Sequence, residues 1–126
     1  MHKSRLSGFI IDCKTDDLQD AAAFWSAALG MKTQALPGEE GKTYVQLLDA
    51  DRGLDIEVQT VKHDSRVHLD IESDDVEAEA KRLETLGAKR VAMIKRWIVM
   101  EAPTGQRFCI VRAHARDFAE RARCWD

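Results

Sequence analysis

The feature that most constrains this chain is that it repeats its own pattern. Phe9-Ile10-Ile11-Asp12 leads through Asp17-Leu18 into an amphipathic run that ends at Leu29-Gly30, and Val67-His68-Leu69-Asp70-Ile71 leads through Asp75-Val76 into a second run ending at Leu86-Gly87. Asp12 and Asp70 lie 58 positions apart, as do Asp17 and Asp75, and Gly30 and Gly87 lie 57 apart. A near-constant offset over several landmarks means one supersecondary unit used twice. Equivalent positions of the two copies can therefore be read together.

Each copy spells the same element order. In the first module, about residues 8–60, the strand at Phe9–Ile11 precedes a helix that Thr15 or Asp16 can cap, with Leu18, Ala22, Trp25, Ala28 and Leu29 on one face and Gly30 as the stop. A short strand interrupted by Pro37-Gly38 and strands at Tyr44–Leu48 and Leu54–Thr60 follow, the last two joined by the turn-rich Asp49-Ala50-Asp51-Arg52-Gly53. In the second, about residues 66–113, the strand at Val67–Ile71 precedes a helix that Ser73 or Asp74 can cap, with Val76, Ala80, Leu83 and Leu86 sharing a face. Strands at Ala88–Met93, Trp97–Glu101 and Arg107–Arg112 complete it, the last two linked by the turn Ala102-Pro103-Thr104-Gly105. The expected fold is α+β: two β-α-β-β-β modules in one domain, residues 1–126, followed by a C-terminal helix at about 114–125. A chain of 126 residues with 44% hydrophobic content has material for one ordinary core.

Composition removes several classes of function. A net charge of −3, with the basic residues scattered, offers no field for nucleic acid. No apolar run reaches the length of a membrane span or of a signal peptide, so a soluble cytoplasmic protein without membrane partners is expected. Cys13, Cys109 and Cys124 are odd in number and lack metal-knuckle spacing, which fits reduced thiols.

Strand parity separates the sheet into two faces. Ile11, Ile56, Val58, Leu69, Ile71, Phe108 and Ile110 form an apolar set suited to packing against the helices. The opposite set, Asp12, Asp55, Glu57, His68, Asp70, Glu72, Arg107 and Cys109, with Ile10, Trp97 and Val99, is acidic and holds the residues with chemistry to offer. It can be an ordinary solvated face or, where the sheet curves into a cup, a pocket for a small organic molecule. For the pocket, Trp97 supplies an aromatic wall, and Asp12, Asp70, Tyr44 and Arg107 are the candidate polar contacts.

Phe24-Trp25 with Ala28-Leu29-Gly30, then Val67–Ile71, Asp75-Val76, Leu86-Gly87-Ala88, and finally Ala102-Pro103-Thr104-Gly105-Gln106-Arg107-Phe108-Cys109-Ile110-Val111 resemble the glyoxalase-like group of the vicinal oxygen chelate superfamily. The superfamily also holds glyoxalase I, extradiol dioxygenases, fosfomycin-modifying enzymes and bleomycin-resistance proteins. The resemblance implies a curved, cup-shaped mixed sheet with helices on its outer face, a homodimer, and a divalent ion held by donors on the first and last strands of each module. Those positions fall here on Ile10, Glu57, His68 and Cys109. Ile10 has no donor atom, so the implied ligands reduce to His68, Glu57 and Cys109, with Asp12 two residues from Ile10 as a substitute. Zinc, nickel, manganese or iron would suit such a set.

Two functions follow from the resemblance. One is a binding protein that holds a small organic molecule with an incomplete metal-ligand set. The other is a metal-dependent lyase, isomerase or dioxygenase with Glu57 as catalytic base and His68 as ligand. A third reading leaves the polar face as a wet surface and the domain as an interaction module.

Overall fold

The computed structural model describes residues 1–48 and 53–126. The linker expected at Asp49–Gly53 lies, apart from Gly53, outside the described residues. The chain forms two compact units: Gly8–Val67, and Met1–Ser7 with His68–Asp126. The first strand, β1 (His2–Lys14), is longer than the sequence suggests and gives its opening residues to one unit and the rest to the other.

In the Gly8–Val67 unit, β1 is followed by α1 (Leu18–Leu29), β2 (Thr33–Ala35), a 3₁₀ turn at Gly38–Lys42, β3 (Tyr44–Leu47) and β4 (Asp55–Val61). The strands lie in the order β2-β3-β4-β1. β1 and β4 are parallel, with Ile10 opposite Glu57 and Asp12 opposite Gln59, whereas β3 is antiparallel to β4. Ile11, Val45, Leu47, Ile56 and Val58 bury one sheet face against Leu18 and Ala22 of α1, as parity predicts for Ile11, Ile56 and Val58. Trp25 packs at the margin of this cluster, while Leu29 at the helix end is exposed. Gly30 ends α1 in the left-handed region, φ 68°, where a side chain would be strained.

The other unit carries β5 (Arg66–Ser73) from His68 onward, α2 (Val76–Thr85), β6 (Lys89–Ile94), β7 (Trp97–Glu101) and β8 (Arg107–Arg112). The strand order β5-β8-β7-β6 repeats that of the first module. Ala80 of α2 packs on Ile98, Met100 and Ile110, with Val76, Leu83 and Phe108 around them. Leu69, expected in this core, is 50% exposed. The buried Ala80 of α2 packs instead on Ile98 and Met100 of β7 and Ile110 of β8.

Both helices start later than the capping residues read from sequence. Asp17 caps α1 by accepting from the Asp20 N–H, and Asp75 caps α2 by accepting from the Ala78 N–H. Thr15 and Ser73 act one step earlier: each hydroxyl accepts the amide N–H of the capping aspartate. These local side-chain bonds hold the chain out of helical geometry for two more residues. The caps keep the 58-residue offset.

The terminal segment also departs from expectation. It is helical only over α3 (Phe118–Arg121) and closes with β9 (Arg123–Trp125), antiparallel to His2–Ser4. Strand pairing with the start of β1 takes the place of the expected helix and sets Trp125 beside a polar partner. The Trp125 Nε1–H donates to Ser4 Oγ at 2.9 Å, and the Arg82 guanidinium lies 3.8 Å from the ring centre. Phe118 is buried as well.

Candidate metal centre

Three strands of the second unit present alternating residues to the face opposite α2. β5 and β8 run parallel with Asp70 opposite Cys109, and β8 and β7 run antiparallel with Val99 opposite Cys109. His68 precedes Asp70 by two positions and so projects to the same side. Trp97, half-buried, shares that side with Val99, while Ile98 and Met100 point into the core. Parity therefore holds for all of these residues.

The register gathers His68, Asp70 and Cys109 so that one donor atom from each lies within 4.8 Å of the others. Nε2 of His68 is 3.5 Å from Oδ1 of Asp70, and both side chains are about 85% buried. That separation is long for a hydrogen bond. It matches two ligands of one tetrahedral ion, whose donors stand about 3.4 Å apart when each is about 2.1 Å from the metal. Oδ1 of Asp70 is buried and accepts no hydrogen bond among the described residues. A buried carboxylate oxygen without a donor is costly unless a cation satisfies it. Imidazole, carboxylate and thiolate are together a borderline donor set that fits zinc, with a fourth position left open.

The remaining sequence candidates are placed as follows. Glu57 sits half-buried on β4 of the other unit, opposite Ile10, and is not one of the three clustered donors. Asp12 is buried, with Arg66 Nε 3.8 Å from its Oδ2. Tyr44 is half-buried, and its hydroxyl accepts from Gln59 Nε2 at 2.7 Å, while Gln46 Nε2 donates to Asp55 Oδ1 at 3.2 Å. Arg107 pairs with Glu101, Nε to Oε1 at 3.2 Å. Glu72 is fully buried, and its Oε1 accepts the backbone N–H groups of His114 and Ala115. Cys13 follows Asp12 on β1, its thiol pushed up by burial and by the Asp12 charge against a hydrogen bond with Trp25.

Sequence reasoning named Asp70 as a substrate contact and did not group it with His68 and Cys109, as the structure does. The signal was present: His-x-Asp on one strand places both side chains on one face, and the parallel register with β8 brings Cys109 beside Asp70.

The profile of a family described as a glyoxalase-like domain matches residues 8–111. No curated protein matches the chain at a significant level. Among solved structures, the chain is similar to methylmalonyl-CoA epimerase from Mycobacterium tuberculosis, at 14% identity and a TM-score of 0.63, over 90% of this chain and 93% of that one. It is similar to a glyoxalase/bleomycin resistance protein/dioxygenase superfamily member from Vibrio splendidus 12B01, at 16% identity and a TM-score of 0.55, over 87% and 99%. An extradiol ring-cleaving dioxygenase from B. fuscum aligns at 12% identity and a TM-score of 0.57, over 88% of this chain and 33% of that one. At these identities the likeness is one of fold.

Proposed function

Because the chain belongs to the glyoxalase-like domain family of the vicinal oxygen chelate superfamily, whose fold hosts unrelated chemistries, we propose that it binds a small organic molecule on its polar sheet face with a divalent ion held by His68, Asp70 and Cys109. The observation that carries this reading is Oδ1 of Asp70, buried without a hydrogen bond beside the imidazole and the thiol. When bound, such an ion polarises an oxygen of the ligand. The chain's own residues do the rest. His68, Asp70 and Cys109 hold the ion, Trp97 offers an aromatic surface on the same face, and Glu101 fixes the direction of the Arg107 guanidinium.

Ile10 supports binding rather than the chemistry of a fully liganded enzyme, since an aliphatic side chain, 3% exposed, stands where the resemblance implies a donor. A related epimerase is described in complex with methylmalonyl-CoA, which supports an organic ligand. A thiolate donor requires a reducing compartment, which favours the cytoplasm. None of the described helices is long and apolar enough to cross a membrane. A homodimer fits the half-exposed Leu6 and Leu69 on the strands of one unit. Sedimentation equilibrium should then give twice the chain mass for the native protein and a lighter species for Leu69→Lys.

The decisive experiment is zinc titration of tag-free protein, followed by elemental analysis. About one ion per chain is expected, lost in His68→Ala, Asp70→Asn and Cys109→Ser and retained in Glu57→Gln. Absence of saturable binding in the native protein overturns the reading. Loss of the ion in Glu57→Gln but not in Asp70→Asn would replace the three-strand centre by one built on Glu57.

A further inference from the structure

Away from the metal centre, the second unit has an open cleft of about 700 Å³ between the first turn of α2 and the turn that joins β6 to β7. Val76, Met93 and the buried Ile98 make its apolar surface, and Lys95, Arg96 and Arg112 bring cations to it. Asp74, Asp75 and Glu77 also line it, so the cleft looks neutral by composition. The bonding is uneven. The Asp74 carboxylate accepts the Lys3 N–H, Asp75 caps α2, and Glu77 takes both of its oxygens to Arg90 at 2.8 and 2.9 Å. Each acid has a fixed partner, Glu77 a cation and Asp74 and Asp75 neutral N–H groups that leave their charge in place. Among the described residues, Lys95, Arg96 and Arg112 make no ion pair or side-chain hydrogen bond, and Lys95 has only the edge of a cation–π contact, 6.0 Å from the Trp97 ring centre.

The turn itself argues for the cations. Ile94 pairs with Trp97, so Lys95 and Arg96 are a two-residue hairpin loop, and Lys95 adopts φ 53°. Such loops favour glycine or asparagine where φ is positive. Lys95 is the one non-glycine residue with positive φ among the described residues. A lysine at the position where local sterics favour Gly or Asn is a departure from the folding rule, of the kind found at functional positions, and Arg96 stands beside it.

We propose that this cleft is a binding site for a small organic anion of the phosphate-ester class. Arg96 and Arg112 supply planar donors that match phosphoryl oxygens, Lys95 adds a point charge, and Val76, Met93 and Ile98 receive the apolar body of the ligand. The concave shape, of the size of an ordinary ligand pocket, favours a small molecule over a polyanion that needs a continuous basic stripe. The site is independent of the His68–Asp70–Cys109 centre, and the failure of either leaves the other standing.

Phenyl phosphate, inorganic phosphate and benzyl alcohol are the probes, titrated into the ¹⁵N-labelled full chain and followed by amide shifts. Saturable shifts confined to residues 74–78, 93–98 and 112 are expected, tightest for phenyl phosphate and absent for benzyl alcohol. Arg96→Gln and Arg112→Gln should each weaken phenyl phosphate about tenfold, the weight of one charge-assisted hydrogen bond, and His68→Ala should not. Lys95→Gly separates ligand binding from folding: relief of the positive φ should raise the melting temperature while binding weakens. Shifts that do not saturate, spread over all surface lysines, or survive the arginine substitutions would overturn the proposal. So would tighter binding of a DNA duplex or an anionic vesicle than of phenyl phosphate to the same residues.

Discussion

Glu79 is the residue on which the second unit most depends. It sits at 0% exposure on α2, where burial alone would push its carboxyl up. Hydrogen bonds from Arg82, His2 and Ser4 outweigh that and hold it below the usual carboxylate range. Arg82 approaches in a fork, Nε to Oε1 and a terminal nitrogen to Oε2, both at 2.9 Å, and His2 Nε2 lies 2.8 Å from Oε1. Removal of the acid leaves Arg82 without its buried counter-charge and His2 without its hydrogen-bond partner. Glu79→Ala should therefore cost about 3 kcal/mol in urea denaturation. The pH dependence has a definite sign. A carboxylate whose folded pKa is depressed contributes stability above its unfolded value, near 4.5, and loses it as pH falls through the folded value. Wild-type stability should fall below about pH 4.5 more steeply than that of Glu79→Gln, a comparison that urea midpoints at several pH values would make.

At the scale of elements, the repeat makes a paired prediction. Asp17 and Asp75 perform the same capping act in equivalent places, so Asp17→Ala and Asp75→Ala should each cost about 1 kcal/mol, measured by denaturation. Unequal costs would mean that one helix start is held by its surroundings rather than by its cap. The elements were readable because periodicity and turn chemistry agree over most of the chain: β7 and β8 begin and end where alternation says they should. What escaped was long-range. Nothing local says that residues 123–125 will find residues 2–4, because a short amphipathic tail satisfies helix and strand patterns alike. Nor does alternation reveal that Leu69 stays half exposed. Deletion of Arg123–Asp126 would uncover Ser4 and one face of Arg82. Faster hydrogen exchange at the His2–Ser4 amides, with the α1 amides unchanged, is the expected result.

For the whole molecule, the question is what two copies of one module do differently. On the Gly8–Val67 unit, Gln59 donates to Tyr44 and Gln46 to Asp55, and Asp12, the counterpart of Asp70, also has a buried Oδ1 that accepts no hydrogen bond among the described residues, with Arg66 Nε 3.8 Å from its Oδ2. On the other unit, an imidazole and a thiol stand beside the buried Asp70 oxygen, His68 taking the place that Ile10 has in the first unit. The candidate site was half legible in sequence: the resemblance implied His68 and Cys109 and parity put Asp70 on their face, but the β5–β8 register is what brings Asp70 beside Cys109. The asymmetry predicts that an ion stabilises the folded chain through the second unit. At free zinc one hundred times its Kd, the gain should be about 2.7 kcal/mol by mass action. Imidazole and thiol must shed their protons to bind, so the gain should be large near pH 8 and small near pH 5.5. Thermal melts with and without zinc at both pH values test this. Asp70→Asn should abolish the increment while leaving the zinc-free melt close to wild type, because it keeps the side-chain shape and removes the unsatisfied charge. An increment that survives in Asp70→Asn would mean that zinc binds the fold somewhere other than these three strands.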